Sequence, residues 1–89
     1  MKKVFLFGST YCNDCTAMKA YLSKNNINYI YMDISGDLLN LKTFLNYRDT
    51  SPTFNEIKEK GSIGIPCIVI NNGEKFFFDQ DTLNLNELK

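Results

Sequence analysis

The chain has 89 residues, enough for one domain with a small hydrophobic core. A hydrophobic fraction of 44%, with seven Phe and five Tyr, excludes a disordered chain, and ten acidic residues cancel ten basic ones, so nothing favours electrostatically driven nucleic-acid binding. The apolar run in the opening MKKVFLFGST is too short for a signal sequence and no longer one follows, so the expectation is one soluble cytoplasmic domain over residues 1–89, away from membranes and monomeric.

Val4-Phe5-Leu6-Phe7 is apolar without alternation, the pattern of a strand covered on both faces. Gly8, Ser9 and Thr10 interrupt it. A helix is predicted from near Cys12, with Cys15, Met18, Tyr21 and Leu22 on one stripe, Ser9 or Thr10 as cap and Asn25-Asn26 as its end. Residues 28–34 (NYIYMDI) form a second strand, with Tyr29 and Tyr31 on one face and Ile30, Met32 and Ile34 on the other. Strand, helix and strand with short links make a βαβ unit, so these strands should be parallel.

A second helix spans Asp37 to Arg48, with Leu38, Leu41, Phe44 and Leu45 as its apolar stripe. Ser51-Pro52 is an N-cap followed by proline at the first helical position; the short helix it starts runs to about Lys60 and stops at Gly61. Cys67 to Ile70 is a further strand. Asn72-Gly73 signals a hairpin, and Phe76 to Phe78 return. The tail carries Leu83, Leu85 and Leu88, as a short helix on the sheet or a loose end. The sum is an α/β fold: a small, mixed four-stranded sheet flanked by helices.

Two cysteines three apart, in CNDC, fall where the first strand gives way to the first helix. Reactive groups in such folds gather at the carboxyl ends of parallel strands. A sulfur at Cys12 faces the free N–H groups of a helical first turn, which favour negative charge, and the thiolate is the nucleophile. Cys15 lies one turn on and can attack a mixed disulfide held on Cys12. Cys12 is then the attacking thiol and Cys15 the resolving one. An odd cysteine count without a leader speaks against a secreted disulfide framework. Zinc is the rival: a closed site within one chain that lacks histidine needs all three cysteines plus a carboxylate, or else a second subunit.

These residues resemble the glutaredoxin family of the thioredoxin fold over nearly the whole chain: the Val4–Phe7 strand, CNDC at the helix start, the strand ending near Asp33, and GIPCIVI before a hairpin. The resemblance implies thiol-disulfide exchange on protein or small-molecule disulfides, with Cys12 as nucleophile, Cys15 as partner and Pro66 in cis beside them. It places the backbone of Ile65 where an extended substrate pairs like one more strand. No cofactor is implied as permanently bound. Glutathione or a thioredoxin-reductase-like enzyme is the implied reductant.

Four positions depart from the family pattern. Asn13-Asp14 replace Pro-Tyr, Ser9 stands where a basic residue is usual, Gly64-Ile65 replace Thr-Val, and Phe78-Asp79-Gln80 replace Gly-Gly-Asp. The last three positions are glutathione contacts in the family. CNDCTAMK and the DIS at 33–35 are more similar to the glutaredoxin-like redoxins that serve ribonucleotide reductase and are reduced by thioredoxin reductase. Asp14 favours the helix start and repels a thiolate on Cys12. Two other classes share an early CxxC: a metal or iron-sulfur cluster carrier in which two chains share Cys12, and a redox-sensing module similar to arsenate-reductase-like regulators.

Four lesser candidates remain. Cys67 is either a small buried hydrophobe, the usual fate of a strand cysteine, or an accessory thiol near the site. Tyr11 flanks the substrate groove or is a plain surface residue. Arg48 is expected to favour its helix end and pair locally near Asp49 rather than reach an anionic substrate. The run Phe76-Phe77-Phe78 should turn one ring outward for the terminal leucines to cover.

Overall fold

A computed structural model describes residues 2–89; residue 1, which opens the MKKV stretch, lies outside them. The elements run β1 (Val4–Gly8), α1 (Asn13–Lys24), β2 (Ile30–Asp33), α2 (Leu38–Thr50), a 3-10 turn (Pro52–Phe54), α3 (Asn55–Glu59), β3 (Cys67–Ile70), β4 (Lys75–Phe77) and a last 3-10 turn (Leu85–Leu88). The sheet order is β2-β1-β3-β4. β1 pairs parallel to β2, with Phe7 opposite Met32, and antiparallel to β3, with Phe7 opposite Cys67. The βαβ unit, the antiparallel hairpin and the mixed four-stranded sheet match the expected fold class. Among the described residues, no helix is long and apolar enough to cross a membrane.

Strand alternation sorts the core into two layers. On one face Val4, Leu6, Ile68, Ile70 and Phe77 pack with Met18 and Leu22 of α1 and with Leu88. On the other, Phe7, Cys67 and Val69 pack with Phe44 of α2 and Phe54. Phe54 is the hub of the second layer. It meets Phe78, Phe76 and Phe44 edge-on, with centroids 5.1, 5.3 and 5.9 Å away. That geometry suits the ring quadrupoles and stabilises by about 0.5–1.5 kcal/mol per pair beyond buried area.

Three local expectations are corrected. The strand expected over 28–34 pairs only from Ile30 to Asp33, because an Asx turn at its end, with Ser35 N–H donating to Asp33 Oδ1 at 3.0 Å, stops the ladder. The leucine stripe of α2 is not its inner face. Of those four residues only Phe44 is fully buried, while Leu38 is 82% exposed. The inner face is Asn40, Phe44 and Tyr47, at i, i+4 and i+7: Asn40 donates to the Asp33 carbonyl at 3.2 Å, and Tyr47 packs on Phe7 and Phe76.

The hairpin turn is longer than Asn72-Gly73. The ladder closes at Ile70–Lys75, so Asn71–Glu74 make a four-residue loop, with φ of 53° at Asn71 and 99° at Gly73. Asn71 is drawn out of the strand by Lys3, whose N–H donates to its side chain at 2.8 Å and whose carbonyl accepts from its N–H at 2.8 Å. No ring of the phenylalanine run points free into solvent. Phe77 enters the α1 layer under Leu88, and Phe76 and Phe78 close on Phe54 in the other. The tail is docked rather than loose: Glu87 forms an ion pair with Lys75 of β4.

Candidate active site

The reactive corner forms where β1 ends. One step along the β1–β3 register from Phe7–Cys67 sets Pro66 beside Gly8, and the Ile65–Pro66 bond is cis. The chain then turns through Ser9 and Thr10, closed by Cys12 N–H donating to the Ser9 carbonyl at 3.1 Å. This differs from the expected cap. Neither Ser9 nor Thr10 caps α1; Cys12 is itself the N-cap, extended at φ −109° and ψ 111°, and its sulfur accepts from Cys15 N–H at 3.2 Å. Ser9 instead accepts from Tyr11 N–H at 3.1 Å and donates to Ser35 Oγ at 2.9 Å. Ser35 in turn donates to Asp33 Oδ1 at 2.7 Å. This chain of hydroxyls ties the loop before Cys12 to the end of β2.

The two sulfurs are unlike. Cys12 is half-buried at the open end of the helix, where first-turn N–H groups lack helical partners and an anion is favoured. Cys15 is fully buried one turn behind it. Burial, above all, raises the Cys15 thiol pKa to about 12, and its hydrogen bond to Cys12 adds to the rise. Gly8 makes room for it: a Cβ there would lie 3.1 Å from both Cβ and Sγ of Cys15.

Ile65 and Pro66 come to the same corner. A cleft of about 260 Å³ is lined by Cys12, Tyr11, Ile34, Ile63 and Ile65. A second, of about 360 Å³, is lined by Ile65, Pro66, Asp14, Asp79 and Asp81. Ile65 is common to both. Tyr11 stands beside Cys12 and is 90% exposed.

Cys67 is not brought to this corner. It is fully buried among Phe7, Phe44 and Phe54, on the sheet face opposite α1, and burial pushes its thiol pKa up. It takes the small-hydrophobe role that is usual for a strand cysteine; the alternative, an accessory thiol at the site, is set aside because strand alternation turns its side chain to the face opposite α1. Among the described residues, no three His, Cys, Asp or Glu side chains converge to hold a metal ion. Arg48 also departs from expectation. Its guanidinium donates to the carbonyls of Ser62 and Ile63 at 2.7 and 2.9 Å, in the segment before the cis proline, rather than pairing beside Asp49.

Three contributors were missed in the sequence: Gly8 as a spacer, the Arg48 brace, and Asp79 with Asp81 as a cleft wall. Gly8 directly after an apolar run was the one available signal. The other two depend on chain segments that meet only in the folded molecule.

Fold and corner together define a thioredoxin-fold protein with a two-cysteine centre at the start of its first helix and a cis proline alongside. The solved structure of a thioredoxin-like protein, crystallised as a point mutant, superposes with a TM-score of 0.60 at 22% identity, covering 99% of this chain and 95% of that one. The Glutaredoxin family model matches residues 4–76, and the chain therefore belongs to the glutaredoxin family. It is also 34% identical, over all 89 residues and 96% of the relative's length, to an uncharacterized protein of Haemophilus influenzae.

Proposed function

We propose that the protein is a dithiol disulfide reductase in which Cys12 attacks and Cys15 resolves. One observation carries the reading: a half-buried Cys12 sulfur, held by a helical N–H at 3.2 Å, has a fully buried thiol one turn behind it. The Cys12 thiolate attacks one sulfur of the substrate disulfide. A Cys12–substrate bond forms, the substrate S–S bond breaks, and one substrate thiolate leaves. Cys15 then loses its proton and attacks Cys12. The internal disulfide forms and the second substrate thiolate leaves. The substrate gains two electrons and the protein loses two.

The raised pKa of Cys15 fits this order. Part of the rise comes from its hydrogen bond to Cys12 and from charge there. The charge on Cys12 is lost once it is bound in a mixed disulfide, which removes one of the smaller causes of the rise, while burial, the largest, remains. Ile65, before the cis proline, offers backbone groups for an extended substrate.

The oxidised pair is returned to the dithiol by glutathione or by a thioredoxin-reductase-like enzyme, in the reducing cytoplasm. The test is trapping. Cys15→Ser should accumulate a stable mixed disulfide through Cys12, and Cys12→Ser should abolish turnover of a model disulfide. Full turnover by Cys12→Ser would overturn the reading. Parallel assays with glutathione plus its reductase, and with thioredoxin reductase, identify the electron source.

A further inference from the structure

The two clefts that meet at Ile65 differ in chemistry. The one holding Cys12 is walled by apolar side chains: the Tyr11 ring, Ile34, Ile63 and Ile65, with Ile63 itself 59% exposed. Ser9 and Ser35 complete its lining, and their hydroxyls are spent on each other and on Asp33. The cleft on the other side of Ile65 carries Asp14, Asp79 and Asp81. Among the described residues, neither cleft is lined by a lysine or arginine. Three acidic residues therefore line the space beside the cis proline, and among the described residues none of them is in an ion pair.

Asp79 is held anionic as well as placed. Its Oδ1 accepts from the N–H and the hydroxyl of Thr82, both at 2.8 Å, which lowers its pKa and fixes the side-chain rotamer.

We propose that the substrate is a polypeptide disulfide whose reacting cysteine has a large apolar side chain on one flank and a basic side chain on the other. The proposal rests on the dithiol reading and deepens it. An extended segment paired along Ile65 sends its two flanks into the two clefts. The apolar flank loses water against Tyr11, Ile34 and Ile63. The basic flank meets the three carboxylates, which raise the local concentration of cations and speed encounter. Glutathione, with two carboxylates and one ammonium, has a net negative charge and brings no apolar flank, so it gains less from the two clefts than a polypeptide with basic and apolar neighbours.

The experiment measures the rate at which Cys15→Ser captures synthetic peptide disulfides. One series holds leucine on one side of the cysteine and varies the other flank through lysine, glutamine and glutamate, in both orientations. A second replaces the leucine by alanine. Glutathione disulfide is a separate arm. The lysine–leucine peptide should be captured about tenfold faster than its glutamate counterpart at low salt. That ratio should fall toward one in 1 M salt, where the Debye length is about 3 Å, and shrink in an added Asp81→Lys variant. Replacing leucine by alanine should slow capture.

Equal rates for all flanking charges, or faster capture of glutamate peptides or glutathione disulfide, overturn this assignment and leave the reductase reading standing. Equal rates for leucine and alanine peptides overturn the apolar half of it. No capture of any disulfide by a protein whose Cys12 still alkylates overturns both.

Discussion

Arg48, at the end of α2, donates through Nε to the carbonyl of Ile63 at 2.9 Å, and its second guanidinium nitrogen reaches Ser62 at 2.7 Å. A helix on one face of the sheet thus holds the segment that delivers Ile65 and Pro66 to the cysteines. Gly64 sits inside this segment at φ 103°, a conformation that side chains disfavour, and a Cβ there would lie 3.2 Å from Ile57 and Phe54.

Removing the brace should loosen the segment without unfolding the sheet. Arg48→Met is expected to cost about 1 kcal/mol by urea denaturation, the scale of a half-exposed charged hydrogen bond. Hydrogen exchange at residues 62–65 should speed up while β1 is unchanged. Arg48→Lys should recover only part of the loss, since an ammonium does not present the planar fork. Uniform exchange across both regions would refute the brace.

Gly8 is the test of space beside Cys15. Its absent Cβ would approach Cys15 Sγ to 3.1 Å and Tyr31 Cε1 to 3.3 Å. Gly8→Ala is expected to destabilise by about 1–3 kcal/mol, the range for overpacking a core, and to displace the resolving sulfur. The mixed disulfide on Cys12 should then persist longer in stopped reactions than in the parent protein. An unchanged lifetime would show that Cys15 has slack.

Alkaline pH should weaken the fold through its buried thiols. The Cys15 thiol pKa rises to about 12 when folded, against about 8.5 for a free thiol, and that of Cys67 moves the same way. The unfolded chain therefore releases these protons first. The stabilisation is complete below about pH 8.5 and is lost progressively as pH rises toward the folded values. Urea midpoints under reducing conditions should fall from pH 8 to 10.5, less steeply in Cys67→Val. A midpoint independent of pH there would contradict the burial of both thiols.

Acid acts through Asp33 with the opposite sign. Hydrogen bonds from the Ser35 hydroxyl and N–H lower its carboxyl pKa below the ordinary value of about 3.9. The stabilisation is present above about pH 4 and disappears as pH falls through the lowered folded value. Asp33→Asn should flatten the acid limb of the stability profile between about pH 4 and 2. Because Ser35 also binds Ser9, the variant should raise mobility in the loop before Cys12, read from amide exchange at Thr10 and Tyr11.

Much of the fold was legible because its signals are local. The unbroken Val4–Phe7 run, the Ser51-Pro52 cap and Gly61 at φ 70° each act within a few residues, and each lies where its pattern indicated. Helix α2 shows the limit. Leucines at 38, 41 and 45 and aromatics at 44 and 47 offer competing stripes, and only the cavity beneath Phe7 and Phe76 selects Phe44 and Tyr47. The cap of α1 differs from its sequence expectation for a related reason: Ser9 is held by Ser35, a partner 26 residues away, leaving the cap to Cys12.

The chain alone determined that two sulfurs stand one helical turn apart at a strand-to-helix junction, because spacing and periodicity are properties of neighbours in sequence. Tertiary structure decided that Cys15 is sealed, that Cys67 lies behind the sheet, that Arg48 braces the Pro66 segment and that three carboxylates share a cleft with it. Burial and electrostatic environment arise from segments distant in sequence, and these meet only when the sheet closes between its two layers.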